Sequence, residues 1–140
     1  MELKQYKPED LLEIKGNLVE SKRTTPDITL EIANYIATLG NAYTCFKDGK
    51  VVACAGTMSN EQGVTDIWAF YSADFSCFTR ARAALEFHKH IAEVVGRVRI
   101  SIPSDLPNGD KYAKFLGFKF TKKETSKLFS EIENSIYEVT

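Results

Sequence analysis

Apolar residues along this chain recur at every second position in some stretches and at every third or fourth in others, the periods of strand and helix. Residues 2–7 alternate, with Leu3 apolar and Tyr6 amphipathic, and predict a short strand ended by Pro8. Pro8-Glu9-Asp10 opens a helix, with proline in its first turn and acids at the positive end of the dipole. Leu11, Leu12, Ile14 and Leu18 give that helix its apolar side, and residues 21–26 read as a loop. Asp27 caps a second helix whose Ile28, Ile32, Tyr35, Ile36 and Leu39 share one face, and Gly40-Asn41 stops it.

The middle of the chain reads as an antiparallel meander of three strands, 42–47, 51–58 and 64–71. Lys47-Asp48-Gly49-Lys50 joins the first two, and Asp-Gly is a strong signal for a two-residue hairpin. The run Ile67-Trp68-Ala69-Phe70-Tyr71 has the unbroken apolar character of a strand covered on both faces. A long helix follows, opening at Ser76 or Thr79 and ending at Gly96. Phe78, Ala81, Leu85, His88, Ala92 and Val95 mark its apolar face, Ala84, Phe87, Ile91 and Val94 widen it, and Arg82, Glu86, Lys89 and Glu93 form the wet stripe. Then come a strand at 98–102, a short helix at 108–116 ended by Gly117, a strand at 118–122, a polar loop at 124–134 and a last strand at 136–139. The order is β-α-α-β-β-β-α-β-α-β-β. The strand before the long helix and the strand after it form a βαβ unit, so they should run parallel. The expectation is a single α/β domain over residues 1–140, with a mixed sheet of six to seven strands flanked by about four helices.

Composition narrows the function. The chain has 140 residues, 44% hydrophobic and 26% charged, as a globular domain does. Lys+Arg 18 against Asp+Glu 19 leaves a formal net charge of −1, which excludes nucleic-acid binding by bulk charge. No stretch approaches the ~20 apolar residues of a membrane span, and residues 1–6 lack the apolar run of a secretory signal. The expected setting is therefore the cytoplasm. Three cysteines, Cys45, Cys54 and Cys77, sit in or beside apolar segments and read as free thiols. No spacing of Cys and His suggests a metal, and no phosphate-binding or dinucleotide fingerprint occurs.

Three local features carry a family likeness. They are the hairpin from Phe46 through Asp48-Gly49 to Val51-Val52-Ala53-Cys54-Ala55-Gly56, the strand Trp68 to Tyr71 followed by a loop and a long helix, and the junction Phe115-Leu116-Gly117-Phe118. In this order, and over nearly the whole chain, they resemble the GNAT superfamily of N-acetyltransferases. The short length and the arginines at the start of the long helix resemble in particular the small GNAT-like proteins of tailed phages, which would place the protein in a host cytoplasm.

The resemblance implies acetyl-CoA as cosubstrate, no metal, and a small-molecule or protein amine as acceptor; a homo-oligomer is left open. It implies that pantetheine lies between two splayed parallel strands, against the backbone of Trp68, Ala69, Phe70 and Tyr71. The pyrophosphate would sit at the following helix N-terminus, at Ser76, Thr79, Arg80, Ala81 and Arg82, where orphan N–H groups and the dipole favour anions. The family's glycines are missing from this turn, which reads Phe75-Ser76-Cys77-Phe78-Thr79-Arg80-Ala81; Arg80 and Arg82 offer charge-assisted bonds instead. The general acid for the sulfur, a tyrosine four residues before the junction glycine, falls on Ala113, with Tyr112 one step earlier and the family's asparagine displaced to Asn108. Asp66, with Glu61 before it, is the candidate base that would take the amine's proton, the other reading of Asp66 being a solvated acid at a strand end. His88 reads as a packed histidine, His90 as a surface one, and no Cys-His pairing is readable that would make Cys77 a nucleophile. Two functions follow: an acetyl-CoA-dependent N-acetyltransferase working by direct amine attack, or a catalytically inactive GNAT-like scaffold for assembly or binding.

Overall fold

The computed structural model describes residues 1–19, 28–39, 41–59, 63, 65–91, 98–104, 109–125 and 133–139. Chain order is β1 (Glu2–Gln5), α1 (Pro8–Ile14), a 3₁₀ turn (Lys15–Asn17), α2 (Leu30–Ile36), β2 (Ala42–Lys47), β3 (Lys50–Ser59), β4 (Thr65–Tyr71), α3 (Cys77–Ile91), β5 (Val98–Pro103), α4 (Gly109–Phe115), β6 (Lys119–Thr125) and β7 (Glu133–Val139). The strands form one seven-stranded sheet in the order β1-β2-β3-β4-β5-β7-β6. Every neighbouring pair is antiparallel except β4 and β5, so the predicted βαβ unit and mixed sheet are present.

Local chemistry accounts for the frame. Asp48 and Gly49 take φ of +52° and +77°, the left-handed pair that a two-residue hairpin needs to match strand twist. The Asp10 carboxylate accepts from the Lys7 N–H at 3.0 Å and from the Thr44 hydroxyl at 2.7 Å, which caps α1 and pins it to β2. Glu13 ties the same helix to β3, accepting from the Val51 N–H at 3.1 Å. The Tyr6 hydroxyl donates to the Ala33 carbonyl at 2.9 Å and so fastens α2.

Two cores result. On one face, α1 and α2 cover Val51, Cys54 and Trp68 with Leu11, Ile14, Ala33 and Ile36. On the other, α3 and α4 cover Val52, Ala53, Ala55, Ile67 and Ile100 with Ala83, Phe87, Ile91 and Ala113. Alternation along β4 and most of β3 sorts successive residues between these faces, except at the β2–β3 register shift, where Val52 and Ala53 share one core.

Several boundaries and faces differ from expectation. Leu18 is buried but lies past α1 and the 3₁₀ turn rather than on the helix. The cap of α2 is Thr29, whose hydroxyl accepts from the Ile32 N–H at 3.2 Å; Asp27 and the 21–26 loop lie outside the described residues. Tyr35, expected in the core, is exposed. The buried side of α3 is Thr79, Ala83, Ala84, Phe87 and Ile91, while Phe78 is 72% exposed and Leu85 is also outside. Small residues win because this helix packs closely on Ala53 and Ala55 of β3. Residues 92–96 lie outside the described residues, and β6 and β7 both extend into the stretch expected to be a loop. No helix among the described residues is long and apolar enough to cross a membrane.

Cys45 and Cys54 are buried and Cys77 is exposed, all as free thiols. Burial raises both buried thiols above their ordinary value, Cys54 to about 12, so they are neutral and unreactive near pH 8. A disulfide reagent at that pH should therefore label Cys77 alone in the native protein. A fast phase accounting for more than one thiol, or one surviving Cys77→Ser, would contradict this.

Candidate functional site

The βαβ unit holds an opening. β4 pairs with β3 from Thr65 to Tyr71, and β5 pairs with β7 from Val98 to Pro103. Among the described residues β4 and β5 share three rungs, Thr65↔Val98, Asp66↔Arg99 and Ile67↔Ile100. Past Ile67 the two strands part.

Backbone parity shows what the parted edge presents. The Ser72 N–H donates to the Val52 carbonyl on the β3 side at 2.8 Å. Alternate residues point their backbone groups to opposite sides, so Ile67, Ala69 and Tyr71 face the β5 side. At the outer end, the segment after α1 occupies this edge. The Val19 N–H donates to the Tyr71 carbonyl at 2.9 Å, and the Ala73 N–H donates to the Asn17 carbonyl at 2.5 Å, with Leu18 bridged antiparallel to Ser72. β5 thus closes the inner end and this strap the outer one. The window between them runs from Trp68 to Phe70, and Ala69 is the residue whose N–H and C=O face into it.

Trp68 stands at the inner corner. Its side chain points to the α1/α2 face, edge-on to Tyr6 with centroids 6.0 Å apart and 6.0 Å from Phe70. The ring lies over Gly56: a Cβ there would stand 2.7 Å from the indole Cζ2 and 2.6 Å from the Asn41 carbonyl oxygen. The indole Nε1 is buried without a hydrogen-bond partner among the described residues.

The tip of α3 follows at the outer end of the window. Ser76 caps it, its hydroxyl oxygen accepting from the Thr79 N–H at 3.1 Å and lying 3.1 Å from the Thr79 hydroxyl. Arg80 folds back, Nη1 donating to the Phe75 carbonyl at 2.7 Å. Arg82 is exposed and Ala81 half-buried. Two hydroxyls and the Arg80 guanidinium therefore lie at one helix N-terminus, and all three are engaged within the turn.

Asp66 is not a solvated strand-end acid. It is buried, and its carboxylate accepts from Arg99 Nε at 2.5 Å and from the second Arg99 nitrogen at 2.9 Å. Arg99 also reaches Glu124 at 3.6 Å. The hydrogen bond to Asp66 raises the Arg99 guanidinium further above its ordinary value, against the opposing effect of burial. With both oxygens on a fixed cation, Asp66 suits a positioning role better than proton acceptance. Glu61 lies outside the described residues.

Across the sheet, Ala113 is fully buried, so the position matching the family's tyrosine faces the core. Tyr112 lies in α4, but its side chain is outside the described residues, as is Asn108. An arrangement unforeseen in the sequence holds α4 in place. The Tyr137 hydroxyl donates to Asp110 at 2.9 Å, and Lys114 pairs with the same carboxylate at 2.9 Å. Burial, then Asp110, raise the Tyr137 phenol to about 12, while Lys114, then Tyr137, lower Asp110. Only the alternation of β7 signalled that Tyr137 would point inward. His88 packs edge-on against Phe118, centroids 6.2 Å apart, and His90 is exposed, both as expected. No group of His, Cys, Asp and Glu placed to hold a metal occurs among the described residues.

Comparison with solved structures places this architecture. An N-acetyltransferase from Staphylococcus aureus matches at TM-score 0.71 and 14% identity, over 99% of this chain and 96% of the other. A ribosomal-protein-alanine N-acetyltransferase from Brucella melitensis matches at 0.70 and 13%, over 99% of each chain. A GNAT superfamily phosphinothricin acetyltransferase from Sinorhizobium meliloti, solved with acetyl-CoA, matches at 0.71 and 14%, over 99% of this chain and 86% of the other. No protein-family model and no curated protein sequence matches the chain. The chain has the GNAT fold, and at these identities the likeness is one of fold.

Proposed function

We propose that this protein binds acetyl-CoA in the window between β4 and β5 and transfers the acetyl group to a primary amine. The observation that carries the reading is the ladder of three rungs that stops at Ile67↔Ile100, leaving β4 from Trp68 onward with an edge a linear amide chain can pair with, as strands accept extended peptides. The residues present fit such a ligand. Ala69 offers both a donor and an acceptor toward the window, and Ser76, Thr79, Arg80 and Arg82 supply at the helix tip the donors that suit a pyrophosphate. Arg80 would exchange its bond to the Phe75 carbonyl for one to phosphate.

Acetyl-CoA, when bound, supplies an activated acyl group to a neutral amine. The chain's part is positional: the window aligns the thioester, and the strap at Asn17–Val19 bounds its outer end. Tyr112 remains the proposed proton donor to the departing sulfur, and the proton that the attacking amine loses returns to its phenolate through solvent. Asp66, held by Arg99, is assigned no proton in this reading. The test is incubation with acetyl-CoA and a panel of primary amines (polyamines, aminoglycosides, peptides with free N-termini or lysines), followed by mass spectrometry. At least one amine should gain a single acetyl group at a rate proportional to protein concentration.

The glycine-free, self-capped turn favours a second reading, a catalytically inactive scaffold of the same fold, of the kind a phage would encode. Acetyl-CoA binding without product for any amine would support it over the first.

A further inference from the structure

We infer that Asp66 and Arg99 are a register lock: their ion pair sets the rung at which β4 and β5 part, and thereby the position of the window. They are positioning residues for the site proposed above, and the inference rests on that reading only where it concerns acetyl-CoA.

A parallel ladder with three rungs among the described residues can hold its register through face and through charge. Faces alternate with a period of two, so a slip of one residue would turn the core side of β4 to the wrong face and is forbidden by burial. A slip of two keeps every side chain on its face. Apolar residues discriminate poorly between such registers: Ile67 opposite Ile100 and Ala69 opposite Ile100 are both hydrophobic pairs. The buried charges do discriminate. In the observed register Asp66 stands opposite Arg99 and both nitrogens of the fork meet both oxygens. A slip of two would put Arg99 opposite Trp68, or Asp66 opposite Ser101, and strand two opposite charges apart inside the protein, where unpaired charge is heavily penalised. Fixing register is the best-attested use of a buried ionic group, since an apolar pair of similar volume usually stabilises as well or better. Glu124 on β6, 3.6 Å from Arg99, holds the guanidinium from the other side of β5. The lock sits one rung from the parting point, so a slip of two would either cover Ala69 or uncover Ile67.

The experiment compares the wild type with the apolar double variant Asp66→Val/Arg99→Val, reading amide hydrogen exchange and acetyl-CoA affinity. In the wild type, the Ile67 amide, inside the ladder, should exchange at least about tenfold more slowly than that of Ala69, which faces the window. In the double variant that contrast should collapse while the protein still unfolds cooperatively, and acetyl-CoA affinity should fall about tenfold or more. Retention of both the contrast and the affinity would overturn the lock. If wild-type protein does not bind acetyl-CoA, the proposed function fails, and the exchange contrast alone then decides the lock. Should the double variant not fold, the near-isosteric Asp66→Asn takes its place, since it halves the charge pair without changing shape. An unchanged exchange contrast in that variant would equally refute the inference.

Discussion

Gly56→Ala should destabilise the protein by about 3 kcal/mol, at the upper end of what one added methyl costs in a packed interior. The new Cβ would lie 2.6 Å from the Asn41 carbonyl oxygen and 2.7 Å and 2.9 Å from two atoms of the Trp68 ring. Neither neighbour can yield cheaply. The Asn41 carbonyl accepts the Thr57 N–H at 3.0 Å, and the indole is wedged between Tyr6 and Phe70. Since Gly56 is the register partner of Trp68, relief by moving β3 would disturb the strand that presents the window. For a chain of this size the loss corresponds to a melting point lower by roughly 10 °C, readable by thermal denaturation. A change of a degree or two would mean that β3 and the indole are less constrained than this packing implies.

The strands were the readable part of this sequence. Asp48-Gly49 fixed a turn with unusual backbone demands, and two alternating runs flanked it, so the β2–β3 hairpin followed from local chemistry. The opening between β4 and β5 was not readable from residues alone. Nothing in Ile67-Trp68-Ala69-Phe70-Tyr71 distinguishes a strand paired on both edges from one paired on a single edge, because the missing bonds are those of the backbone. The family likeness supplied that expectation. In helix α3 the expected face holds at Ala84, Phe87 and Ile91 but not at Phe78 and Leu85, and it omits Ala83: bulk marks hydrophobicity, but close contact with the alanines of β3 selects small residues.

The candidate site was legible in the same uneven way. The tip of α3 with its two arginines could be found by position after the strand, and Ser76 is the cap that its residue type suggests. That Arg80 would bond the Phe75 carbonyl could not, since a surface arginine has many acceptors within reach. Asp66 and Arg99 lie 33 positions apart, and no local pattern joins an acid on one strand to a base on the next but one element. The strap at Asn17–Val19 is not legible for a related reason: three residues bridging to a distant strand end carry no period.

Acetyl-CoA should stabilise the folded protein strongly, and this is the second large effect. A ligand that binds only the native state, at one hundred times its dissociation constant, adds about 2.7 kcal/mol, or roughly 8 °C in melting point here. Arg80→Ala should weaken binding about tenfold by removing one charge-assisted bond to phosphate, cutting the gain at the same concentration to about 1.4 kcal/mol. Trp68 is the chain's single tryptophan and borders the window, so its emission reports unfolding at the site itself. The deciding measurement is thermal unfolding followed by that emission, with and without saturating acetyl-CoA. A rise of several degrees that shrinks in Arg80→Ala is predicted, and an unchanged melting point at millimolar acetyl-CoA would contradict a thioester site between β4 and β5.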